Sequence, residues 1–371
     1  MRIAIMGIRG IPASYGGYET FAEELAPRLV QRGHEVTVYC RTNIVKHPGQ
    51  FYKGVCLVKL PTISHKYLDT PVHTLLSVLH SLFCRYDVIL MCNAANAIFT
   101  IVPRLRRMKV ALNVDGIERL RKKWNRMGQS WYLLGEYLAT KFPNAIVADA
   151  RVIQDYYRER YSASSVMIPY GANIARVDTI GVLDKFGLKP KEYVLYVSRL
   201  EPENNAHIVI EAFRQVKTEK KLAVVGDAPY ATSYKAHLQR LAGQDPRVVM
   251  TGFVFGDGYK ELQSHAYCYV QATEVGGTHP ALVEAMGFGN LVIANGTPEN
   301  IEVVADAGLI YRKNDVADLA AKLQWAVDNP GELNKYRRAA ASRVKEHYSW
   351  EAVTEAYETL FRELLSNHYF H

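Results

Sequence analysis

The chain is short of the features that would settle its class at a glance. Its five cysteines (Cys40, Cys56, Cys84, Cys92, Cys268) are odd in number and never fall as Cys-x-x-Cys, so neither a disulfide framework nor a zinc site is expected, and a reducing cytoplasm is. No uninterrupted apolar run reaches the ~18 residues that cross a bilayer. The opening residues, Met1-Arg2-Ile3-Ala4-Ile5-Met6-Gly7, reach glycine too soon for a signal peptide and read as a first strand. There is no Gly-Lys-Ser/Thr phosphate loop, no Gly-x-Ser-x-Gly elbow and no His-Glu-x-x-His, which argues against the enzyme classes those motifs serve. Asp-x-Asp, a common divalent-metal handle, is also missing, so chemistry without a metal is the default expectation.

What is present describes a folded protein. Hydrophobic residues make up 49% and charged residues 22% of 371, a length that predicts about two domains. The net charge of +8 is uneven: residues 1–175 hold 23 basic and 12 acidic side chains, and the remainder 22 and 25. The first half should attract anions, whether nucleic acid, an anionic membrane or a diphosphate. Short apolar runs at 2–6, 35–40, 55–60, 88–92, 110–114 and 145–148 alternate with helical patterns, and the alternation restarts at 193–197. This predicts two Rossmann-like α/β domains, 1–175 and 176–348, with a helix over 350–365 in a final segment, 349–371. Open parallel sheets bind ligands beyond the carboxyl ends of their strands, so two such sheets would face each other across a cleft.

The loops after strands therefore carry the candidates. The first runs Gly7-Ile8-Arg9-Gly10-Ile11-Pro12-Ala13-Ser14-Tyr15-Gly16-Gly17 into a helix over 18–32, and its glycines would let backbone N–H groups approach a phosphate. It lacks Gly-x-Gly-x-x-Gly spacing, and the second strand ends Cys40-Arg41 without a ribose-binding acid, which disfavours an NAD site. Asp115 ends another strand, where a carboxylate can meet a sugar hydroxyl or cap a helix. From Arg119 onward, Leu120, Trp124, Met127, Trp131, Leu134 and Leu138 recur at helical spacing beside Arg121, Lys122, Lys123 and Arg126. That pattern predicts a basic amphipathic helix suited to an anionic membrane or a lipid diphosphate, or an ordinary core helix with a solvated basic face. Arg199 directly follows a strand and can fork onto a diphosphate. Glu274-Val275-Gly276-Gly277-Thr278-His279-Pro280 places polar N–H groups before a proline-started helix, and Glu284, one turn in, can accept from vicinal ribose hydroxyls.

Taken together these residues resemble the glycosyltransferase family 4 enzymes of GT-B architecture over essentially the whole chain. The resemblance rests on the Gly-rich first loop, Val197-Ser198-Arg199-Leu200, Ile168-Pro169-Tyr170-Gly171 and Glu284-Ala285-Met286 with Gly289. Arg9-Gly10-Ile11-Pro12 through Gly16-Gly17-Tyr18-Glu19, Asp115-Gly116-Ile117-Glu118 with Lys123-Trp124, and Glu274 through Thr278 are similar to a narrower bacterial polysaccharide subgroup that includes β-1,4-rhamnosyltransferases.

The resemblance implies a retaining transfer from a nucleoside-diphosphate sugar, dTDP-rhamnose or a UDP-sugar, to a polyprenyl-diphosphate-linked saccharide. UDP or dTDP would be the product, no cofactor would be needed, and the enzyme would sit on the cytoplasmic face of the membrane. It assigns Arg199 to the diphosphate and Glu284 to the ribose. Gly16, Gly17, Asn204, Glu274, Gly276, Gly277 and Thr278 complete the donor side. Arg9, Glu118, Arg121, Lys122, Lys123 and Trp124 serve the acceptor and membrane, and Asp115 orients the attacking hydroxyl or acts as a base. Asn204 stands where the family usually has lysine, Gly276 where it has its first glutamate, and Asp115 where it has histidine. A nucleotide-sugar epimerase of the same fold is the nearest rival, and a nucleic-acid binder a more distant one.

Overall fold

The computed structural model describes residues 1–366 apart from 14, 15, 66, 122, 123, 173–175, 229 and 230. The chain divides into two compact units, Met1–Tyr170 with the C-terminal segment from Trp350, and Gly171–Ser349.

The first unit opens β1 (Arg2–Met6), α1 (Gly17–Gln31), β2 (Glu35–Arg41), β3 (Phe51–Tyr52), β4 (Val55–Leu60) and α2 (Asp69–Ser81). It continues β5 (Val88–Cys92), α3 (Ile101–Arg104), β6 (Lys109–Asn113), α4 (Arg126–Ala139), β7 (Ala145–Ala148), α5 (Arg151–Tyr161) and β8 (Val166–Met167). The sheet order is β3-β4-β2-β1-β5-β6-β7-β8, parallel throughout except for the β3–β4 hairpin. Ile3, Ala4 and Ile5 pair with β2 on one side and β5 on the other, and all three are fully buried, as expected for a central strand with helices on both faces.

The second unit runs α6 (Gly181–Lys185), β9 (Tyr193–Val197), α7 (Ala206–Arg214), β10 (Lys221–Val225), α8 (Thr232–Ala242), β11 (Val248–Gly252) and α9 (Gly256–His265). Then follow β12 (Cys268–Gln271), α10 (Pro280–Gly287), β13 (Leu291–Asn295), α11 (Pro298–Val304), β14 (Leu309–Tyr311), α12 (Val316–Asp328) and α13 (Leu333–His347). Its six strands are all parallel, in the order β11-β10-β9-β12-β13-β14.

The last helix, α14 (Trp350–Leu365), belongs to the first unit. Trp350, Val353, Tyr357, Leu360 and Phe361 recur at helical spacing and bury into the core that holds Phe21 and Leu25 of α1. Glu358 fixes the register: it takes hydrogen bonds from Arg32 at 3.0 Å and Arg362 at 2.5 Å and pairs with His34 at 3.0 Å.

Candidate functional site

In a doubly wound sheet the ligand crevice opens where strand order reverses. In the second unit that point lies between β9 and β12, so the loops after these strands form its walls. Arg199, half-buried, heads the first wall. Asn204, expected on the donor side, follows in the same loop. Its Nδ2 donates to the Arg199 carbonyl at 2.7 Å, its own carbonyl accepts from the Tyr196 hydroxyl at 2.6 Å, and it is buried. An amide here braces the backbone that carries Arg199, where a lysine would present a charge.

The second wall is Thr273–His279. Glu274 accepts from Asn314 Nδ2 at 2.5 Å, and its N–H donates to the Glu203 carbonyl at 3.0 Å, which ties the two walls together. Behind them lies an asparagine cluster that sequence reasoning missed. Asn205 and Asn295 both donate to Asn314 Oδ1 (2.9 and 2.8 Å) and to the Ala272 carbonyl (3.0 and 3.1 Å), and Asn300 donates to the Thr273 carbonyl at 3.2 Å. These residues come from four separate segments, the loop before α7, the end of β13, α11 and the loop after β14, so no local spacing announces them. Gly276 and Gly277 are buried before Thr278, and a side chain at Gly276 would collide with the His279 ring. α10 follows with Pro280 at its first position, leaving its amino end toward this loop.

Glu284 is half-buried on α10. Tyr259 donates to its Oε2 at 2.6 Å, Gln263 Nε2 holds the phenol oxygen at 2.9 Å, and Asn290 holds Gln263 in turn at 2.9–3.2 Å. Burial, and next the Glu284 charge, push the Tyr259 phenol well above its ordinary pKa, so it remains a donor at any working pH. This orienting chain was also absent from the sequence reading, because α9 and α10 lie on separate elements.

In the first unit the order reverses between β1 and β5. Gly7 (φ 83°) and Gly10 (φ 120°) have no space for a side chain, the one against Cys92 and Asn96, the other against Cys40. The loop is gripped from α1: Glu19 accepts from the Arg9 N–H at 2.9 Å and Glu23 from the Ala13 N–H at 2.7 Å. The protein's own carboxylates thus occupy two of the N–H groups expected to greet a phosphate. Gly16 precedes α1 and Gly17 opens it, exposed. Arg41, at the end of β2, is buried and ion-paired with Asp69. Beside it His73 is fully buried, and burial, then the Arg41 charge, lower its pKa to about 4, so its ring is neutral.

Asp115 follows β6 with φ 55°, a left-handed conformation that aspartate tolerates better than most residues. It does not cap a regular helix. Its N–H bonds Asn113 Oδ1 at 3.0 Å, and Asn113 Nδ2 reaches the Tyr357 hydroxyl of α14 at 2.9 Å. The Tyr170 hydroxyl lies 3.5 Å from Oδ1. Burial raises the pKa of Asp115 and the Glu118 charge adds to this, while Arg121 and a hydrogen bond with Asp149 oppose it. Asp149, buried after β7, is a second carboxyl at this edge that the sequence reading did not single out. Two neighbouring carboxyls and two tyrosines form a group that can hold or accept a proton.

The basic amphipathic helix expected from Arg119 is different in the structure. Residues Glu118–Leu120 make one 3-10 turn, and α4 starts only at Arg126, capped by the Asn125 side chain on the Gly128 N–H at 3.0 Å. Arg121 is buried and paired with Glu118, so it is not part of a solvated basic face. Trp124 packs on Tyr132 with ring centroids 5.1 Å apart. Lys122 and Lys123 lie outside the described residues. α4 is turned around: Gly128, Tyr132, Gly135, Glu136 and Ala139 face inward, while Met127 (68%), Trp131 (37%) and Leu134 (45%) are exposed. Gly135 lets α4 approach the Ala94 backbone, and Glu136 is held inside by Arg119 at 3.0 Å and by the hydroxyls of Tyr156 at 2.7 Å and Tyr161 at 3.0 Å. Close helix contact and a satisfied buried carboxylate outweigh the apolar stripe.

Among the described residues, no three or more His, Cys, Asp or Glu side chains converge as a metal-holding group, and no helix is long and apolar enough to cross a membrane.

Comparison with known proteins matches this architecture. Residues 183–343 match the family model described as glycosyl transferases group 1, and residues 1–173 match one described as a domain of unknown function, DUF1972. The O-antigen chain mannosyltransferase B of Escherichia coli is 24% identical over 184 residues, which is 48% of this chain and 47% of that protein. The chain thus spans about half the length of that curated relative. Sucrose-phosphate synthase of Thermosynechococcus elongatus superposes with a TM-score of 0.83 at 19% identity, covering 99% of both chains. HepE of Anabaena, solved with UDP-glucose, gives 0.78 at 17% identity over 97% of this chain and 99% of that one. The chain has the GT-B fold, two Rossmann-like units each built on a parallel sheet. The residues that match the glycosyl transferases group 1 model, 183–343, lie within its second unit.

Proposed function

We propose that the protein is a retaining glycosyltransferase that moves a sugar from a nucleoside-diphosphate donor to a lipid-diphosphate-linked saccharide in cell-surface polysaccharide synthesis. One observation carries the reading. At the β9/β12 switch point stand a guanidinium (Arg199) on a loop braced by Asn204, a buried Gly-Gly-Thr turn ahead of a helix amino end, and a glutamate (Glu284) oriented by Tyr259. Diphosphate and ribose are the groups those three features suit. The family match over 183–343 and the names of the relatives support the class. The subgroup likeness of Glu274 through Thr278 favours dTDP-rhamnose, with UDP-sugars next.

In this mechanism the bond from the anomeric carbon to the diphosphate oxygen breaks while the acceptor hydroxyl attacks from the same face. The proton of that hydroxyl passes to the departing phosphate. Arg199, the Gly277-Thr278 backbone and the α10 amino end offset the developing negative charge. Glu284 holds the ribose, Gly16 and Gly17 complete the donor side, and Asp115 with Asp149 orients the acceptor hydroxyl. No metal or cofactor takes part, so EDTA leaves the rate unchanged. The exposed apolar face of α4 supports peripheral attachment to the cytoplasmic leaflet.

The test is transfer from dTDP-rhamnose and UDP-sugars to a synthetic polyprenyl-diphosphate saccharide. Arg199→Ala should lower turnover on the order of 10²–10³-fold, and Glu284→Ala should lose donor affinity, both with native circular dichroism. Full activity in both variants overturns the site. A new epimer formed from donor alone makes the protein an epimerase.

A further inference from the structure

The second unit has a feature that the donor site does not use. At the amino ends of its strands, the opposite edge of the sheet from the Arg199 and Thr278 loops, lies a depression of about 480 Å³ lined chiefly by Arg176, Lys191, Gly289, Asn334, Arg337 and Arg338. Four of these are cations, and no acidic side chain lines the depression among the described residues.

Some basic side chains elsewhere in this unit pair with acids: Arg247 with Asp245 at 2.7 Å and Lys220 with Glu192 at 2.8 Å. Here the cations are held by neutral groups. Lys191 Nζ donates to the carbonyls of Ser264 (2.9 Å) and Ala266 (3.0 Å), and Arg176 Nε to that of Phe288 (3.0 Å). Arg337 donates to the Tyr267 carbonyl at 2.8 Å and to Asn334 Oδ1 at 3.2 Å, and its buried Nε has no hydrogen-bond partner. Gly289, with φ 69°, leaves room for the Arg176 guanidinium, which a side chain there would strike. Carbonyl partners fix the positions of these heads without cancelling their charge. The mutual repulsion is felt: burial, then Arg337 and Arg176, lower the Lys191 pKa to about 8. A fold that holds like charges together in a recess is completed by a counter-charge.

We propose that this depression binds a soluble anion carrying two or more phosphate groups, of the pyrophosphate or nucleoside-diphosphate class. Four cations match the charge of two phosphate groups better than that of one, and the lining holds no large exposed apolar side chain that would favour a lipid. The site is independent of the donor reading, since it lies at the other edge of the sheet.

The experiment is a calorimetric titration with pyrophosphate at low ionic strength, carried out in an Arg199→Ala background to weaken the donor site, whose remaining contribution is the same with and without Arg176 and Arg338. Pyrophosphate should bind this protein, and adding Arg176→Gln and Arg338→Gln should weaken binding on the order of tenfold or more. Without pyrophosphate the triple variant should melt no lower than its parent, because like charges have been removed. On binding, the Lys191 titration followed by NMR should move up from about 8 toward its ordinary 10.5. Absent binding in the Arg199→Ala protein, or equal affinity with and without Arg176 and Arg338, overturns the proposal. So does a loss of binding to phosphatidylglycerol vesicles, rather than to pyrophosphate, on changing these two arginines.

Discussion

The Tyr259 hydroxyl sits 2.6 Å from Glu284 Oε2 and donates to it, so the carboxylate assigned to the ribose is aimed by a residue on another helix. Tyr259→Phe removes that donor and also strips Gln263 Nε2 of its partner at 2.9 Å. The expected stability loss is about 1–2 kcal/mol. Glu284 then loses this orienting bond, so KM for the nucleotide sugar should rise several-fold while kcat for bound donor changes little. Equal falls in kcat and kcat/KM would instead place Tyr259 in the transition state. Steady-state kinetics over a donor series separates the two.

Asp115 should trade stability for activity. Its pKa is raised, chiefly by burial, so the folded chain takes up this proton more readily than the unfolded chain does. The ionised form therefore costs stability above the raised value, and that cost fades as pH falls through it. Asp115→Asn keeps an acceptor for Asp149 and tolerates the positive φ, so it should melt a few degrees higher at neutral pH. Its advantage should shrink toward acid pH, and transfer should fall sharply. A lower melting temperature at pH 7 would mean that Arg121 outweighs burial.

How far the sequence speaks for this architecture follows from where its signals are local. Strands such as 88–92 and 193–197 are continuous apolar runs because parallel strands are covered on both faces, and Pro280 marks the start of α10. The places of Asp115, Arg199 and Glu284 are readable because the first two lie two residues past a strand and the third one turn into a proline-started helix. Asp149, Tyr259 and the Asn205–Asn295–Asn314 cluster are not, since tertiary pairing alone brings them to the site. The position of Asn204 suggests a donor contact, but not that its amide braces its own loop. α4 misleads: its apolar stripe is the exposed side, and a glutamate lies within.

Glu358 should govern the acid stability of the first unit. Hydrogen bonds from Arg32 first, then Arg362 and His34, hold its pKa at about 2, against an ordinary 4.5. A carboxyl lowered in the fold contributes stability that is complete above 4.5 and is lost as pH falls toward 2. Glu358→Gln should lower the melting temperature by a few degrees at pH 7. Its stability should also vary less than wild type between those two pH values. Parallel curves would show that the cluster adds no linkage. Thermal melts across the acid range decide this.

The outward stripe of α4 makes a prediction that the expected basic helix would not. Met127, Trp131 and Leu134 are exposed on one helix, and Arg104 of α3 donates to the Phe142 carbonyl just beyond it. Leu105, Arg106 and Arg107, exposed, follow Arg104 near the carboxyl end of α4. Apolar insertion should dominate attachment, with the arginines adding a salt-sensitive part of about 1 kcal/mol each. Trp131→Glu with Leu134→Glu should therefore abolish sedimentation with anionic vesicles at every ionic strength. Arg106→Gln with Arg107→Gln should weaken it only at low salt. Neither pair touches the inward face, so transfer to a short-chain, water-soluble acceptor should persist in both. Unchanged vesicle binding by the double glutamate variant would remove α4 from the membrane and leave its stripe for a protein partner.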